Sequence, residues 1–251
     1  MKSYRSERDI QGIKESCRIV AEVLNELEAF IKPGINTSEV CKRAESIILK
    51  NNGRPAFKGY SIPGLPPYPT AICASVNSCI VHGIPREDQY LQEGDIIGID
   101  VGVEKNGYYG DAARTYPVGK IETKTESLLK ITKIALQKGI EQAKAGNRVG
   151  NISEAIGSYV KQNGYFVADN LTGHGVGKEL HEKPIIPNDG KRNSGMYLSE
   201  GMTLAIEPMV NCGTNKVIEN GWEFFVADNS LSAHFEHTIL LTEDKPLILT
   251  Q

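Results

Sequence analysis

IDVGVEKNGYYGDAARTYPVG, residues 99–119, holds two β-prone runs around a central Asn106-Gly107. That dipeptide is the strongest short-range hairpin signal, because a type I′ turn needs positive φ at both central positions. With those two residues as the loop, Lys105 pairs with Tyr108, and Asp111 comes opposite Gly102. Gly102 shares a face with Asp100, since side chains alternate with period two. The two acids then become diagonal neighbours about 7–8 Å apart, within reach of a shared ion. A bland reading remains open, a solvated edge hairpin with both acids in water. The apolar company of Ile97, Ile99 and Val101 argues against it, because unpaired buried carboxylates are expensive. A cation between them is the simplest remedy.

The chain of 251 residues is long enough for one large domain with a substantial core. Its net charge of −3 gives no electrostatic argument for nucleic-acid or membrane-surface binding. No run approaches the roughly eighteen apolar residues of a membrane span. The first residues, MKSYRSERDIQGIKES, are charged and lack the apolar centre of a signal peptide. Cys17, Cys41, Cys73, Cys79 and Cys212 form no CxxC pair and no even disulfide framework. Reduced thiols and a cytoplasmic setting are the expectation.

Helical spacing runs over residues 7–31, ending at Pro33-Gly34, and Thr37 is placed to cap a second helix reaching about Asn52. A Pro- and Gly-rich loop, 54–69, precedes strand-like segments up to about Val118. The order then begins again, with helices expected over Thr125–Ala145 and Asn151–Asn163 before strands return. The halves echo each other at an offset of 112 residues: Lys32-Pro33-Gly34 matches Lys144-Ala145-Gly146, Val40 matches Ile152, and Ala44 matches Ile156. We read a single catalytic domain, 1–251, with an internal pseudo-repeat of halves 1–120 and 121–251. Its expected class is α+β, one curved antiparallel sheet backed by helices, with a site between the halves.

The second half supplies its own acids. Glu207 stands in the strand-like GMTLAIEPMV, where Pro208 suits a strand end. Glu236 stands in SAHFEHTILLT; alternation puts Phe235, His237 and Ile239 on one face and Glu236, Thr238 and Leu240 on the other. Either glutamate alone reads more readily as a surface residue. The histidines His82, His174, His181, His234 and His237 all fall beside these acids in sequence, and none lies on an amphipathic helix. Four carboxylates and an imidazole form a hard donor set suited to Mn, Fe(II), Co or Zn. Four carboxylates carry four negative charges, which two divalent ions balance; such a pair activates water for hydrolysis. No GxSxG and no GxxxxGK[ST] occurs, so serine-nucleophile and nucleotide chemistries lack support.

With VNSCIVHGIP, GDIIGIDVGV, NGYYGDAARTYPVG, LTGHGVGKELHE, EGMTLAIEPMV and SAHFEHTILLT in this order, the chain resembles the type I methionine aminopeptidases of the pita-bread fold over nearly its whole length. The resemblance implies hydrolytic removal of the initiator methionine from nascent chains, preferably before a small second residue. It implies that Asp111 and Glu236 bridge two metal ions, that Asp100 completes one, and that His174 and Glu207 complete the other. His82 and His181 are implied to touch the scissile amide, and Glu207 to shuttle a proton. Tyr60, Tyr68, Cys73, His82 and Trp222 would line the methionine pocket, whose apolar, polarizable walls suit a thioether. Implied partners are the N-termini of nascent polypeptides near the ribosome, met by a monomeric cytoplasmic enzyme.

Three departures stand out. The loop GYSIPGLPPYP is longer than the usual GYxGYP, Leu180 replaces a frequent aromatic, and His234 replaces a common glutamine. Proline-specific relatives usually carry an additional N-terminal domain, and type II enzymes an insertion between the last two acids. Here 28 residues separate Glu207 from Glu236. A non-catalytic relative would have lost donors, and none is missing.

Overall fold

Two amphipathic helices lead the chain in the computed structural model, which describes residues 4–251. Helix α1 spans Glu7–Phe30; the Ser6 side chain accepts from the Asp9 amide while the Asp9 carboxylate accepts from the Ser6 amide. Helix α2 spans Thr37–Lys50. Its cap is Asn36 rather than the expected Thr37: Asn36 accepts from the Glu39 amide. The Thr37 hydroxyl instead accepts from the Arg86 amide and donates to Gln89, tying a distant loop to the helix start.

Strands β1 (Arg54–Pro55), β2 (Cys73–Val76), β3 (Cys79–Val81), β4 (Ile96–Lys105) and β5 (Tyr108–Pro117) follow. In the β4–β5 hairpin Lys105 faces Tyr108, Gly102 faces Asp111 and Asp100 faces Ala113, the register read from the turn. Asn106 and Gly107 take φ of 55° and 81°, as the primed turn requires. Ile19, Val23, Leu24 and Leu27 of α1 pack with Ile48 of α2 onto Ile97, Ile99, Val101 and Val103. Burying one such side chain contributes about 1.5–3 kcal/mol, so a handful of them rivals a domain's net stability. The solvated edge hairpin is therefore excluded. Contact between α1 and β5 is so close that a Cβ on Gly110 would lie 2.6 Å from the Cys17 backbone nitrogen.

Helices α3 (Thr123–Gln142) and α4 (Val149–Gln162) each begin and end slightly before their expected bounds. Ten strands complete the chain: β6 (Phe166–Val167), β7 (Thr172–Gly175), β8 (Glu182–Pro187), β9 (Thr203–Ile206), β10 (Met209–Asn211), β11 (Val217–Asn220), β12 (Glu223–Val226), β13 (Ser232–His234), β14 (His237–Leu240) and β15 (Leu247–Ile248). Leu128, Leu136, Ile152 and Ile156 of the second helix pair pack against Leu204, Ile206 and Ile239.

The described strands form four hydrogen-bonded sheets, with every strand pairing antiparallel. The largest runs β15-β14-β9-β7-β8, and a second joins β1, β2 and β5 to β4. Two three-stranded ladders, β13-β10-β6 and β11-β12-β3, complete the set. The expected curved sheet is thus assembled from ladders that meet along a seam. There the Glu236 amide donates to Ala113 O at 2.9 Å. The Thr115 hydroxyl donates to His234 O at 2.8 Å and accepts from the His234 amide at 2.9 Å. The Thr238 hydroxyl accepts from the Asp111 amide and donates to the Asp111 carbonyl. No described helix is long and apolar enough to cross a membrane.

Candidate metal centre

Five strand-borne or strand-end positions aim polar side chains at this seam. Asp100 and Asp111 come from the hairpin; His174 comes from β7, where a Cβ on the preceding Gly173 would lie 2.4 Å from Ala205 O. Glu207 occupies the break between β9 and β10, at the proline that ends the ladder. Glu236 occupies the break between β13 and β14. Ligand atoms of Asp111, His174 and Glu236 all lie within 4.8 Å of one another, as do those of Glu207, His234 and Glu236. His174 Nε2 is 3.4 Å from Glu207 Oε1 and 3.9 Å from Asp111 Oδ2.

Asp111, Glu207, Glu236 and His174 are all buried. Asp100 Oδ1, Asp111 Oδ1 and Glu236 Oε1 have no hydrogen-bond partner. Burial raises all four carboxyl groups above their ordinary range, Asp100 to about 7. The charges of Asp100 and Glu207 push Asp111 up further. His174 moves the other way, to about 3, first through burial and then through neighbouring His181. Its Nδ1 lies 3.0 Å from Gly175 O, which leaves Nε2 toward the acids. Orphaned carboxylate oxygens beside a neutral imidazole fit divalent metal: a cation supplies the missing partner and the missing charge.

A cavity of about 520 Å³ opens onto these groups. The five donors expected from sequence line it, as do His82, His181, Tyr60, Tyr68, Cys73 and Trp222; His234 and His237 do not. Trp222 packs edge-on to Tyr68 with centroids 5.5 Å apart, and its indole nitrogen donates to Pro66 O at 2.8 Å. The lengthened loop is pinched at its base by Gly59 N to Tyr68 O and Tyr68 N to Tyr60 O, each 2.8 Å. That pinch keeps Tyr60 in the wall despite the inserted residues. Leu180 and Phe57 join the same apolar cluster.

Two histidines need separate treatment. His234, which stands in place of a common glutamine, brings its Nε2 to 3.4 Å from Glu207 Oε2. The signal was present, since alternation through SAHFEHTILLT, read as one strand, puts His234 two positions from Glu236 on the same face. His237 does not join the site: its Nδ1 meets Thr250 Oγ1 at 2.9 Å. It sits on the opposite face of its strand, so nearness in sequence misplaces it.

Buried acids converging from both halves on one cavity, with room for a peptide end, define a metallopeptidase centre. Metallopeptidase family M24 matches residues 11–243, and the chain belongs to that family. The methionine aminopeptidase of Clostridium acetobutylicum is 44% identical, with 98% of this chain and 97% of that protein covered. The crystal structure of methionine aminopeptidase from Thermotoga maritima superposes with a TM-score of 0.95 at 42% identity, covering 100% of both chains. The prolidase of Pyrococcus furiosus shares the fold at a TM-score of 0.80 and 25% identity, but this chain covers only 65% of it. Within the family the place of this chain is among the type I methionine aminopeptidases, metal-dependent hydrolases of pita-bread fold that remove an N-terminal methionine.

Proposed function

We propose that the centre takes two divalent ions, drawn from Mn, Fe, Co or Zn, and removes the initiator methionine of nascent chains, preferably before a small second residue. One observation carries this reading: the buried carboxyl groups of Asp111, Glu207 and Glu236 and the half-buried one of Asp100 meet in one cavity, with three oxygens unpartnered. In this reading Asp111 and Glu236 would be shared by the two ions, Asp100 would help hold one of them, and His174 with Glu207 would help hold the other. When bound, such ions lower the pKa of a shared water toward neutrality and supply the nucleophile.

The chain's own groups do the rest. Glu207, whose raised carboxyl favours proton uptake, carries the proton toward the leaving amine. His82, lowered to about 4 chiefly by desolvation, and His181, also lowered by desolvation, contact the scissile amide and stabilise charge developing on its carbonyl. The Tyr60 hydroxyl lies 2.8 Å from His181 Nδ1 and fixes which ring nitrogen faces the substrate. Tyr60, Tyr68, Cys73, His82 and Trp222 wall the methionine side chain with apolar, polarizable surface.

We further read the chain as a single catalytic domain with an internal pseudo-repeat, acting as a monomer in the cytoplasm near the ribosome. The test is turnover of Met-Ala-Ser against Pro-Ala-Ser by purified protein, with each divalent ion and with chelator, alongside metal titration. Preference for the Met peptide and saturation at two ions per chain support the proposal. Preference for the Pro peptide, or saturation at one ion, refutes it.

A further inference from the structure

The loop Val176–His181, between β7 and β8, presents His181 to the cavity, and the other end of the chain braces it. Arg5, just ahead of α1, is buried, and its guanidinium reaches three acceptors in three directions. Nε donates to Thr203 Oγ1 at 2.8 Å, and Nη2 donates to Val176 O at 2.9 Å and to Glu182 Oε2 at 2.5 Å. The other Glu182 oxygen, Oε1, accepts from the Lys178 amide at 2.6 Å and the Glu179 amide at 3.1 Å. Gly177 lies directly against the guanidinium: a Cβ there would sit 2.2 Å from Arg5 Nη2. The Tyr109 amide holds Gly177 O at 2.7 Å, and Asp9 of α1 pairs with Lys178 Nζ at 3.1 Å. These restraints fall two to five residues before the imidazole or immediately after it, and the imidazole itself meets the Tyr60 hydroxyl at 2.8 Å.

We propose that Arg5 is a positioning residue for the reaction: with Glu182 it fixes the Val176–His181 loop, and through it the place of the His181 imidazole. The proposal rests on the reading of His181 as a substrate-contacting group. An ammonium at this position cannot reproduce the arrangement, because a single point donor replaces a planar fork that spans side chain, backbone and carboxylate at once. A brace that only stabilised the fold would lower the melting temperature and leave turnover by folded protein intact. A brace that positions His181 acts on the rate.

A double-mutant cycle on the metal-loaded full-length enzyme separates these. kcat and KM for Met-Ala-Ser are measured for wild type, Arg5→Lys, Arg5→Met, His181→Ala and both combinations, at a temperature where circular dichroism shows every variant folded. Displacing a catalytic group by about 1 Å can cost on the order of a hundredfold. We expect Arg5→Met to lower kcat by about ten- to a hundredfold with little change in KM. Arg5→Lys should fall between it and wild type, and either Arg5 substitution should cost little more once His181→Ala is present. Amide exchange at Lys178 and Glu179 should quicken in Arg5→Met. Equal losses with and without His181, or a lowered melting temperature with unchanged kcat, overturn the proposal. If His181→Ala alone keeps the wild-type kcat, the reading of His181 has failed and the proposal falls with it; that single variant reports the distinction.

Discussion

Asp100→Asn should make the protein inactive and, in chelator, more stable. The Asp100 carboxyl rises from its ordinary 3.8 to about 7, chiefly because the fold removes it from water. At about 1.4 kcal/mol per pH unit, holding that group ionised in the fold costs on the order of 4 kcal/mol. The sign follows from proton counting. Between about pH 4 and pH 7 the native state binds a proton that the unfolded chain has released, so stability falls as pH rises through that window and levels off above it. Asparagine keeps the shape without the charge and also relieves Asp111, which burial and Asp100 together push up. Urea unfolding in EDTA should therefore show the variant more stable by about 1–4 kcal/mol at pH 8 and no better than wild type near pH 4. Saturating Mn²⁺ should reverse the order at pH 8, because only the wild type gains from the full donor set. A variant no more stable than wild type at pH 8 in EDTA would refute the claim that these acids are buried against one another.

Glu236→Ala should leave Met-peptide turnover at background while circular dichroism stays native, since it deletes one of the two acids assigned as bridges; retained activity would refute a dinuclear centre. Gly110→Ala should lower stability by about 1–3 kcal/mol in urea melts, because the new Cβ meets backbone atoms of Cys17 that cannot step aside. Thr238→Val should weaken metal binding about 10- to 100-fold by calorimetry, as the hydroxyl that clamps both backbone groups of Asp111 is lost. Trp222→Ala should raise KM for Met peptides more than it lowers kcat, a steady-state measurement, because it opens the pocket wall without touching the acids.

Much of the architecture was legible because its signals are local. Asn106-Gly107 fixes a turn, the turn fixes a register, and the register brings Asp111 opposite Gly102 without any distant information. Helix α1 was equally plain, since an amphipathic period over more than six turns leaves little freedom. The α2 cap was one residue off, because Asn36 and Thr37 both carry capping oxygens and the choice depended on Arg86, far away in sequence. Alternation on the last strands already set His237 opposite Glu236 and His234 beside it, but counting histidines near acids obscured both. Pro208 announced the break beside Glu207, but nothing in SAHFEHTILLT announced the one at Glu236, a gap that arises from how two sheets meet. The brace from Arg5 to Glu182 was hidden for the same reason, its partners being 177 residues apart.

The seam stitched by Ala113, Thr115 and Thr238 has a bearing on how the enzyme comes into being. A chain still emerging from its synthesis can complete the first hairpin with Asp100 and Asp111 yet lacks His174, Glu207 and Glu236. Partial products of translation would thus grip cations poorly, and uptake of the ions would mark the moment when both portions have docked. Pulse-labelled chains stalled before residue 236 should fail to retain manganese on a desalting column, whereas released chains keep it.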